Sequence, residues 1–295
     1  PGELVAENLL PVKLRPWDVG DAPDSTNHPS TAMNAYPGVP ANFPTVFDVA
    51  TGAPEGPRHA RPRPFHLGPR VELEPDADLG PVPRNIDPAT NTANRDGFDD
   101  GVALGTVAFQ NCQTTTFQTR VYITPAAQAA LLAKGIKTAY INSWVDSNRD
   151  GGWADVAQCA NTSAPEHIVI DHPVDIAGLT PGLTSVTVTT TGPVSWPAEL
   201  ANKNAWLRVM LSEEKSVKLA GQSHCDGRGP ASGYRTGETE DYLLYPAGQG
   251  ADPGIDIAVA WEPLPVSQPG NTAAKVALRI HYYNDGSEPA LDSRI

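Results

Sequence analysis

The stretch Thr138-Ala139-Tyr140-Ile141-Asn142-Ser143-Trp144-Val145-Asp146-Ser147-Asn148-Arg149-Asp150-Gly151-Gly152-Trp153-Ala154-Asp155 joins two patterns that decide the fold of this chain. Its first eight residues are rich in β-branched and aromatic side chains, which is typical of a β-strand. The residues that follow carry oxygen-bearing side chains at every second position, and then a glycine. The sequence therefore predicts a strand that runs directly into a polar loop.

This loop has the ligand pattern of a calcium site. Ca²⁺ takes roughly six to eight oxygen ligands, and alternate side chains converge on one point when a glycine then permits a sharp turn. The loop is not an EF-hand, because Ala157 stands where an EF-hand carries its bidentate Glu and no helical pattern follows. The alternative is a solvated turn after a strand, the commonest use of such residues. We expect Ca²⁺ as cofactor, with these loop ligands: Asp146, Asn148, Asp150, Gly152 and Asp155.

Short strand-like segments separated by turns follow Gly101 and predict a mainly β chain folded as an antiparallel β-sandwich. The predicted strands are Thr116–Ile123, Thr138–Val145, His167–Ile170, Ser185–Thr190, Ala205–Leu211 and Asp241–Tyr245. One accessory helix is expected over Pro125–Lys134, with Thr124 as its N-cap and Gly135 as its stop.

Proline and glycine divide the chain into regions. The first hundred residues hold more than half of the 30 prolines and predict long Pro/Gly-rich loops that wrap on a core. The expected apolar anchors of this region are Tyr36, Phe43, Phe47, Phe65 and Leu67. The predicted regions are an N-terminal arm at 1–16, a β-sandwich domain at 17–245 (long ordered loop region 17–101, strands 102–245), a linker at 246–254 and a two-strand unit at 255–295.

Charge and hydropathy restrict the partners. The chain carries 34 Asp plus Glu against 21 Lys plus Arg, a formal net charge of -13, which repels nucleic acid and anionic membranes and favours cations. No apolar run has the length of a membrane-spanning helix, so we expect neither a nucleic-acid partner nor membrane insertion. The chain begins at Pro1, which we interpret as a processed N terminus of an extracellular or cell-surface protein.

The three cysteines are too few for a disulfide-rich scaffold and lack the spacing of a zinc site. Cys112 lies just before a predicted strand and Cys159 lies just after the acidic loop. We predict a disulfide between them that braces the loop, with Cys225 left as an inert thiol.

Five motifs occur in order between Trp17 and Tyr245. They are Gly-Asp-Ala-Pro-Asp-Ser at 20–25, Asp-Gly-Phe-Asp-Asp-Gly-Val at 96–102, the tryptophan-led strand and acidic loop at 144–153, an Arg-bearing strand at 206–211, and Gly-Glu-Thr-Glu-Asp-Tyr at 237–242. Together they resemble the bacterial GEVED domain family, named for the last signature. The resemblance implies a non-catalytic β-sandwich module of large bacterial secreted and cell-surface proteins. The residues from Ile255 resemble the opening strands of a bacterial Ig-like repeat, which implies a partial Ig-like C-terminal unit.

Further ligand candidates lie outside the loop. The resemblance implies a Glu after the loop, and the corresponding residue here is Gln158, a neutral ligand. Three carboxylates of the last motif, Glu238, Glu240 and Asp241, are so close that they require a neutralising cation or Arg. They either complete the metal site or pair with Arg208 or Arg235. Two aspartate clusters are ligands or turn formers: Asp18, Asp21 and Asp24, and Asp96, Asp99 and Asp100.

The sequence predicts no enzyme. Glu238 and Glu240 would lie on one face of a strand, whereas glycosidase carboxylates flank the scissile bond. No nucleophile elbow, zinc-protease motif or phosphate loop occurs. Four tryptophans form either a glycan platform or part of the core: Trp144, Trp153, Trp196 and Trp206.

We therefore expect a calcium-stabilised, non-catalytic structural subunit or surface-assembly protein. The arm residues Glu3–Leu14 and the strands beyond Ile255 carry apolar residues for which the sequence predicts no packing site in the sandwich. Strand edges that are unpaired can bind strands of other chains. Polymerisation by strand addition is one interpretation; an arm packed on its own domain is the other. The expected partners are copies of the chain, other surface proteins or glycans. The alternative functions are a carbohydrate-binding adhesin module and an accessory domain of a secreted hydrolase.

Overall fold

The computed structural model of the chain describes residues 17–25, 33–45, 56–71, 73, 99–200, 202–218 and 220–244, and the backbone of 257–263 and 278–284. The strands in chain order are β1 Asp18–Val19, β2 Asn34–Tyr36, β3 Val39–Pro40, β4 Arg58–His59, β5 Phe65–Leu67, β6 Thr116–Ile123, β7 Thr138–Val145, β8 Val156–Cys159, β9 Thr162–Pro165, β10 His167–Asp175, β11 Gly182–Thr189, β12 Ala205–Ser212, β13 Gly237–Leu244, β14 Ile257–Pro263 and β15 Leu278–Asn284. Helix α1 spans Pro125–Ala133, and 3-10 turns occupy Leu104–Thr106 and Ala198–Leu200.

Two antiparallel sheets form the β-sandwich that the sequence predicts. One has the strand order β10-β7-β12-β13, and the other has the order β11-β6-β5. Their facing sides enclose the main apolar core, to which the central strand β12 contributes Leu207, Val209 and Leu211. Period-two alternation explains this set, because every second side chain of a strand points to the same face.

The four-stranded sheet is buried on both faces, so every residue of β12 is buried. Its second face packs Trp206 and Met210 into another apolar cluster, which the loop region covers with Tyr36 and Phe43. The anchors Phe65 and Leu67 lie on β5 in the main core. The loop region is thus wrapped on the sandwich wherever the structure describes it, and Phe47 lies outside the described residues.

Local signals place several element ends correctly. Strands β6 and β7 have the predicted bounds. Helix α1 ends at Ala133; its N-cap Thr124 accepts a hydrogen bond from the Ala127 N–H, and Gly135 takes a positive φ of 77° at its end. In the described ranges α1 is the only α-helix, and no helix there is long and apolar enough to cross a membrane.

Other elements differ from the prediction. The β8–β9 hairpin is additional, β10 continues to Asp175, and β13 begins at Gly237 rather than at Asp241. Strands β14 and β15 pair with each other in antiparallel orientation, as expected for the two-strand unit predicted at 255–295. The Ig-like assignment of that unit remains a prediction, and the arm at 1–16 and the linker at 246–254 lie outside the described residues.

Candidate metal centre and buried carboxylate network

The loop after β7 is held by its own polar side chains. Asp146 is buried and accepts hydrogen bonds from the N–H groups of Asp150 and Gly151, at 3.2 and 3.0 Å. The amide oxygen of Asn148 also accepts from the Asp150 N–H, at 2.8 Å. Asp150 in turn accepts from the Gly152 N–H at 3.0 Å. The alternating oxygens therefore wind the loop into a compact turn, as the spacing predicts.

A buried glutamate that the sequence analysis does not predict completes the carboxylate cluster. Glu166 lies directly after β9 and is only 1% exposed. Its carboxylate accepts from the N–H groups of Ser147 and Asp155, at 2.8 and 3.3 Å. One carboxylate oxygen each from Asp150, Asp155 and Glu166 lies within 4.8 Å of the other two. Among the described residues, no other three Asp, Glu, His or Cys side chains bring potential metal ligands this close together.

The surroundings of these carboxyl groups disfavour their ionised forms. Burial, reinforced by repulsion from Asp146 and Asp150, raises the pKa of Glu166 to about 9. Burial also raises the pKa of Asp146 to about 6 and, together with the neighbouring Asp155, raises the pKa of Asp150. A bound cation would reverse this balance, because opposite charge favours the ionised form. Oxygen-only ligands of this kind suit a hard cation such as Ca²⁺.

The structure brings together only part of the predicted ligand set. Asn148 presents its amide nitrogen to Asp155 at 3.0 Å, so its oxygen does not face that carboxylate. Gln158 is exposed and lies opposite Ser163, toward the turn of the β8–β9 hairpin. The structure therefore places Glu166, and not Gln158, beside the loop carboxylates, because the base of the hairpin, not its turn, adjoins the loop.

The carboxylates of β13 belong to a separate buried network. Asp241 forms a bidentate ion pair with Arg208 of β12, with N···O distances of 2.7 and 2.6 Å, and both side chains are fully buried. Arg208 also donates to the carbonyl oxygens of Pro44 and Gly227. Of the two alternatives from the sequence, pairing with Arg208 is the one observed for Asp241.

Glu240 and Glu238 also contact groups other than the loop. Glu240 accepts from the N–H groups of Asp100 and Gly101, at 3.1 and 2.8 Å, and from the Tyr242 hydroxyl at 2.8 Å. Glu238 lies 3.8 Å from the imidazole of His66. The structure does not bring these three β13 carboxylates to the loop, as would be expected for a shared metal site. Their positions in the sheet place them beside Asp100 and Gly101, His66 and Arg208 instead.

Described residues of all five sequence motifs meet at β13 or at Arg208, its partner on β12. The N–H groups of Asp21 and Ala22 donate to Asp241, at 2.8 and 2.7 Å. Gly20 approaches the Arg208–Asp241 pair so closely that a Cβ there would lie 2.6 Å from the Asp241 carboxylate. The ring of Trp153, from the acidic loop, lies under the Arg208 guanidinium at 4.6 Å. The motifs therefore form one buried clamp that ties the loop region to the sheet.

The aspartates that the sequence leaves undecided serve this clamp where the structure describes them. Asp18 accepts from the Thr239 N–H at 2.9 Å and Asp24 from the Thr45 N–H at 3.3 Å. Asp100 binds the Arg70 guanidinium at 3.1 Å. Asp96 lies outside the described residues. These contacts join distant segments, so the aspartates do more than form turns.

A fully buried histidine, His59, packs beside the start of β13. His59 stacks on Tyr234 with ring centroids 5.0 Å apart. One ring nitrogen lies 2.9 Å from the Thr236 carbonyl oxygen, and the other lies 2.9 Å from the Thr239 hydroxyl. Burial, with a smaller contribution from the nearby Arg208, lowers the pKa of His59 to about 4.

We expect His59 to destabilise the fold in mild acid. The unfolded histidine binds a proton below about pH 6.5, whereas the folded one resists it down to about pH 4, so stability is lost as pH falls through this window. The loss attributable to His59 is about 2 kcal/mol at pH 5 relative to pH 7.5. Urea denaturation of the parent and of His59→Gln at both pH values measures it, since the other titrating groups, including the paired-strand neighbour Asp18, are common to both proteins. An equal acid loss in the two proteins would contradict the assignment.

The cysteines pair as predicted. Cys112 and Cys159 form a disulfide that ties the β8–β9 hairpin to the segment before β6. Cys225 is a buried free thiol, and its carbonyl oxygen accepts a hydrogen bond from the Trp144 indole at 2.9 Å.

Three tryptophans are core residues: Trp144, Trp153 and Trp206 are at most 1% exposed. Trp196 is partly buried and packs on Phe109 with ring centroids 5.0 Å apart. A platform built from all four tryptophans is therefore wrong, because three of them have no surface to offer a sugar.

No curated protein and no solved structure shows significant similarity to the chain. Residues 140–245, from within β7 to just beyond β13, match the family model of the GEVED domain, in agreement with the motifs, and this part of the chain is similar to that domain.

Proposed function

We propose that this chain is a calcium-stabilised, non-catalytic module of a bacterial extracellular or cell-surface structure, which associates with copies of itself. The GEVED match supports a secreted or surface-exposed module. The Cys112–Cys159 disulfide supports an oxidising compartment, and the net charge of -13 supports a cation-rich exterior.

The observation that carries the calcium proposal is the cluster of Asp150, Asp155 and Glu166 at the loop. A carboxylate buried like that of Glu166 is costly to ionise unless it is paired. Arg149 lies in the same loop, but its guanidinium is directed to Asn204 at 2.9 Å and over the Tyr36 ring. The loop therefore gathers several negative groups around a position that a cation would neutralise.

The buried network supports a non-catalytic role. Glu238 and Glu240 are 2% and 1% exposed, and Glu240 is committed to backbone N–H groups. Carboxylates that are closed off from solvent in this way do not flank a space for a sugar. Among the described residues, no feature favours the glycan-binding or hydrolase-accessory alternatives over this proposal.

Calcium should stabilise the folded protein, because a ligand that binds only the native state shifts unfolding by mass action. We expect 1 mM CaCl₂ to raise the free energy of unfolding over that in EGTA by about 2.7 kcal/mol if free Ca²⁺ is about 100-fold above its Kd. Urea denaturation measures the difference. Asp150→Asn and Glu166→Gln should each reduce the response sharply.

Two controls identify the ligand set. Glu199→Gln removes an exposed carboxylate from the 3-10 turn at Ala198–Leu200 and should leave the calcium response unchanged. Gln158→Ala should also leave the calcium response unchanged. A lost response in this variant would show that Gln158 is a ligand, as the resemblance implies. Identical unfolding of the parent in calcium and in EGTA would remove the calcium proposal.

A further inference from the structure

Strand β11 is an unpaired edge among the described strands. It lies at one end of the order β11-β6-β5, and β6 is its only described partner. Its register with β6 is regular over all eight residues, from Gly182 opposite Ile123 to Thr189 opposite Thr116. An edge of this length presents a row of backbone donors and acceptors to other chains.

The hydrogen-bond pattern shows which residues face outward. The Thr190 N–H donates to the Thr115 carbonyl in the same register, so even-numbered residues of β11 point their backbone groups at β6. The Thr191 N–H instead points away and donates to the Ile168 carbonyl. By the same alternation, the backbone groups directed away from β6 are those of Leu183, Ser185, Thr187 and Thr189.

This edge lacks the features that usually block pairing. Its sequence contains no charge, no proline and no bulge, and three of its residues are threonine. The edge strand of the other sheet, β10, carries Pro173 and two shifts of register. Leu183, 44% exposed, is the one large apolar side chain classed as exposed in the described residues. Within the part of the chain that the structure describes, β10 therefore has features that oppose strand addition, whereas β11 has none.

We propose that the free edge of β11 receives the N-terminal segment Glu3–Leu10 of a second copy of the chain, in a head-to-tail assembly. This segment has the same eight-residue length as β11 and is ended by Pro11, which cannot donate to a ladder. In a strand, Leu4, Ala6, Asn8 and Leu10 form the uncharged, more apolar face, and Glu3, Val5, Glu7 and Leu9 share the other. The apolar face would then continue the core beside Val186 and Val188.

The connection point of the segment favours a second copy over the same chain. The chain enters the described fold at Trp17, next to β1, which pairs with β4 and contacts β13. Strand β13 is the last strand of its sheet on the side away from β10, while β11 is the last strand of the facing sheet on the side away from β5. Strand β13 contacts β5 and β10 contacts β11, so the point where the segment joins the fold and the β11 edge lie at opposite sides of the sandwich. Pairing between two copies would leave one donor and one acceptor free for the next copy. This inference rests on the self-association in the proposed function and specifies its surface.

Substitutions at Thr187 test the acceptor edge in the full chain. Thr187→Pro removes one outward N–H, while Thr187→Ala keeps that N–H and loses only the side-chain contact to Gln118. Sedimentation velocity over a concentration series should show at least about tenfold weaker association for Thr187→Pro, and parent-like association for Thr187→Ala. Circular dichroism should show that both variants are folded, because an odd-numbered position donates no bond to β6.

Substitutions in the donor segment complete the test. Leu4→Asp/Ala6→Asp should also abolish long assemblies, whereas Lys13→Asp, outside the paired eight residues, should not. Mixing Thr187→Pro with Leu4→Asp/Ala6→Asp should yield only dimers, since one intact donor and one intact acceptor remain. Hydrogen exchange at Leu183, Ser185, Thr187 and Thr189 should slow as protein concentration rises.

The outcomes separate the edge from the assembly itself. If the parent associates and Thr187→Pro associates equally well, the β11 edge is overturned while self-association stands. If only the edge variant fails and the Leu4→Asp/Ala6→Asp variant assembles, β11 pairs with another strand and the donor is overturned. Protection of the four N–H groups in the monomer would show pairing within one chain. A parent that stays monomeric at every concentration removes both self-association and this proposal, but leaves the calcium test unaffected.

Discussion

We expect Asp241→Ala to lower the free energy of unfolding by roughly 3–5 kcal/mol, since removing one partner of a buried ion pair leaves the other charge uncompensated. Arg208 and Asp241 have fully buried side chains, and the carboxylate also accepts the N–H groups of Asp21 and Ala22. The substitution therefore leaves a buried guanidinium and two backbone donors without their acceptor. Urea denaturation, checked by circular dichroism, measures the loss.

Two comparisons make this prediction specific. Lys215→Ala removes a surface ion pair with Asp171, in which the lysine side chain is 65% exposed, and should cost at most about 1 kcal/mol. Arg208→Met/Asp241→Leu removes both charges and should cost less than Asp241→Ala alone, because no unpaired charge stays buried. Equal losses for Lys215→Ala and Asp241→Ala would show that the buried pair has no special weight in this fold.

Removal of the disulfide has an effect of similar size. Cys112 and Cys159 are separated by 47 positions, and the chain-entropy model assigns a loop of this length about 4 kcal/mol of stabilisation. We expect Cys112→Ala/Cys159→Ala to lose that amount, measured by urea denaturation without reductant. Cys225→Ala is the matched control for a buried thiol that bridges nothing. A reducing agent should destabilise the parent and Cys225→Ala but leave the double variant unchanged; a parent insensitive to full reduction would contradict the prediction.

Local sequence patterns are sufficient to predict the bounds of a strand where apolar and polar side chains alternate without interruption. Strands β6 and β7 have the predicted bounds because their apolar periodicity and the flanking turn residues are all local. Strand β13 starts at Gly237, before the predicted Asp241, and so includes Glu238 and Glu240, which strand alternation places on one face. Its carboxylates are buried only because Arg208, Asp100 and Gly101 supply partners from distant segments. The sequence names Arg208 and Arg235 as candidate partners, but strand pairing decides between them and brings Asp100 and Gly101 to Glu240.

The candidate site divides in the same way. By itself the sequence determined the chemistry of the loop, since oxygen side chains at alternate positions before a glycine specify a compact turn suited to a hard cation. The tertiary structure decided which carboxylates share that space. Glu166 joins Asp150 and Asp155 because the β8–β9 hairpin folds back to the loop, and that hairpin also carries Gln158 away toward its turn. Separation in space between residues far apart along the chain is set by strand pairing and register, which depend on the whole fold and not on any local pattern.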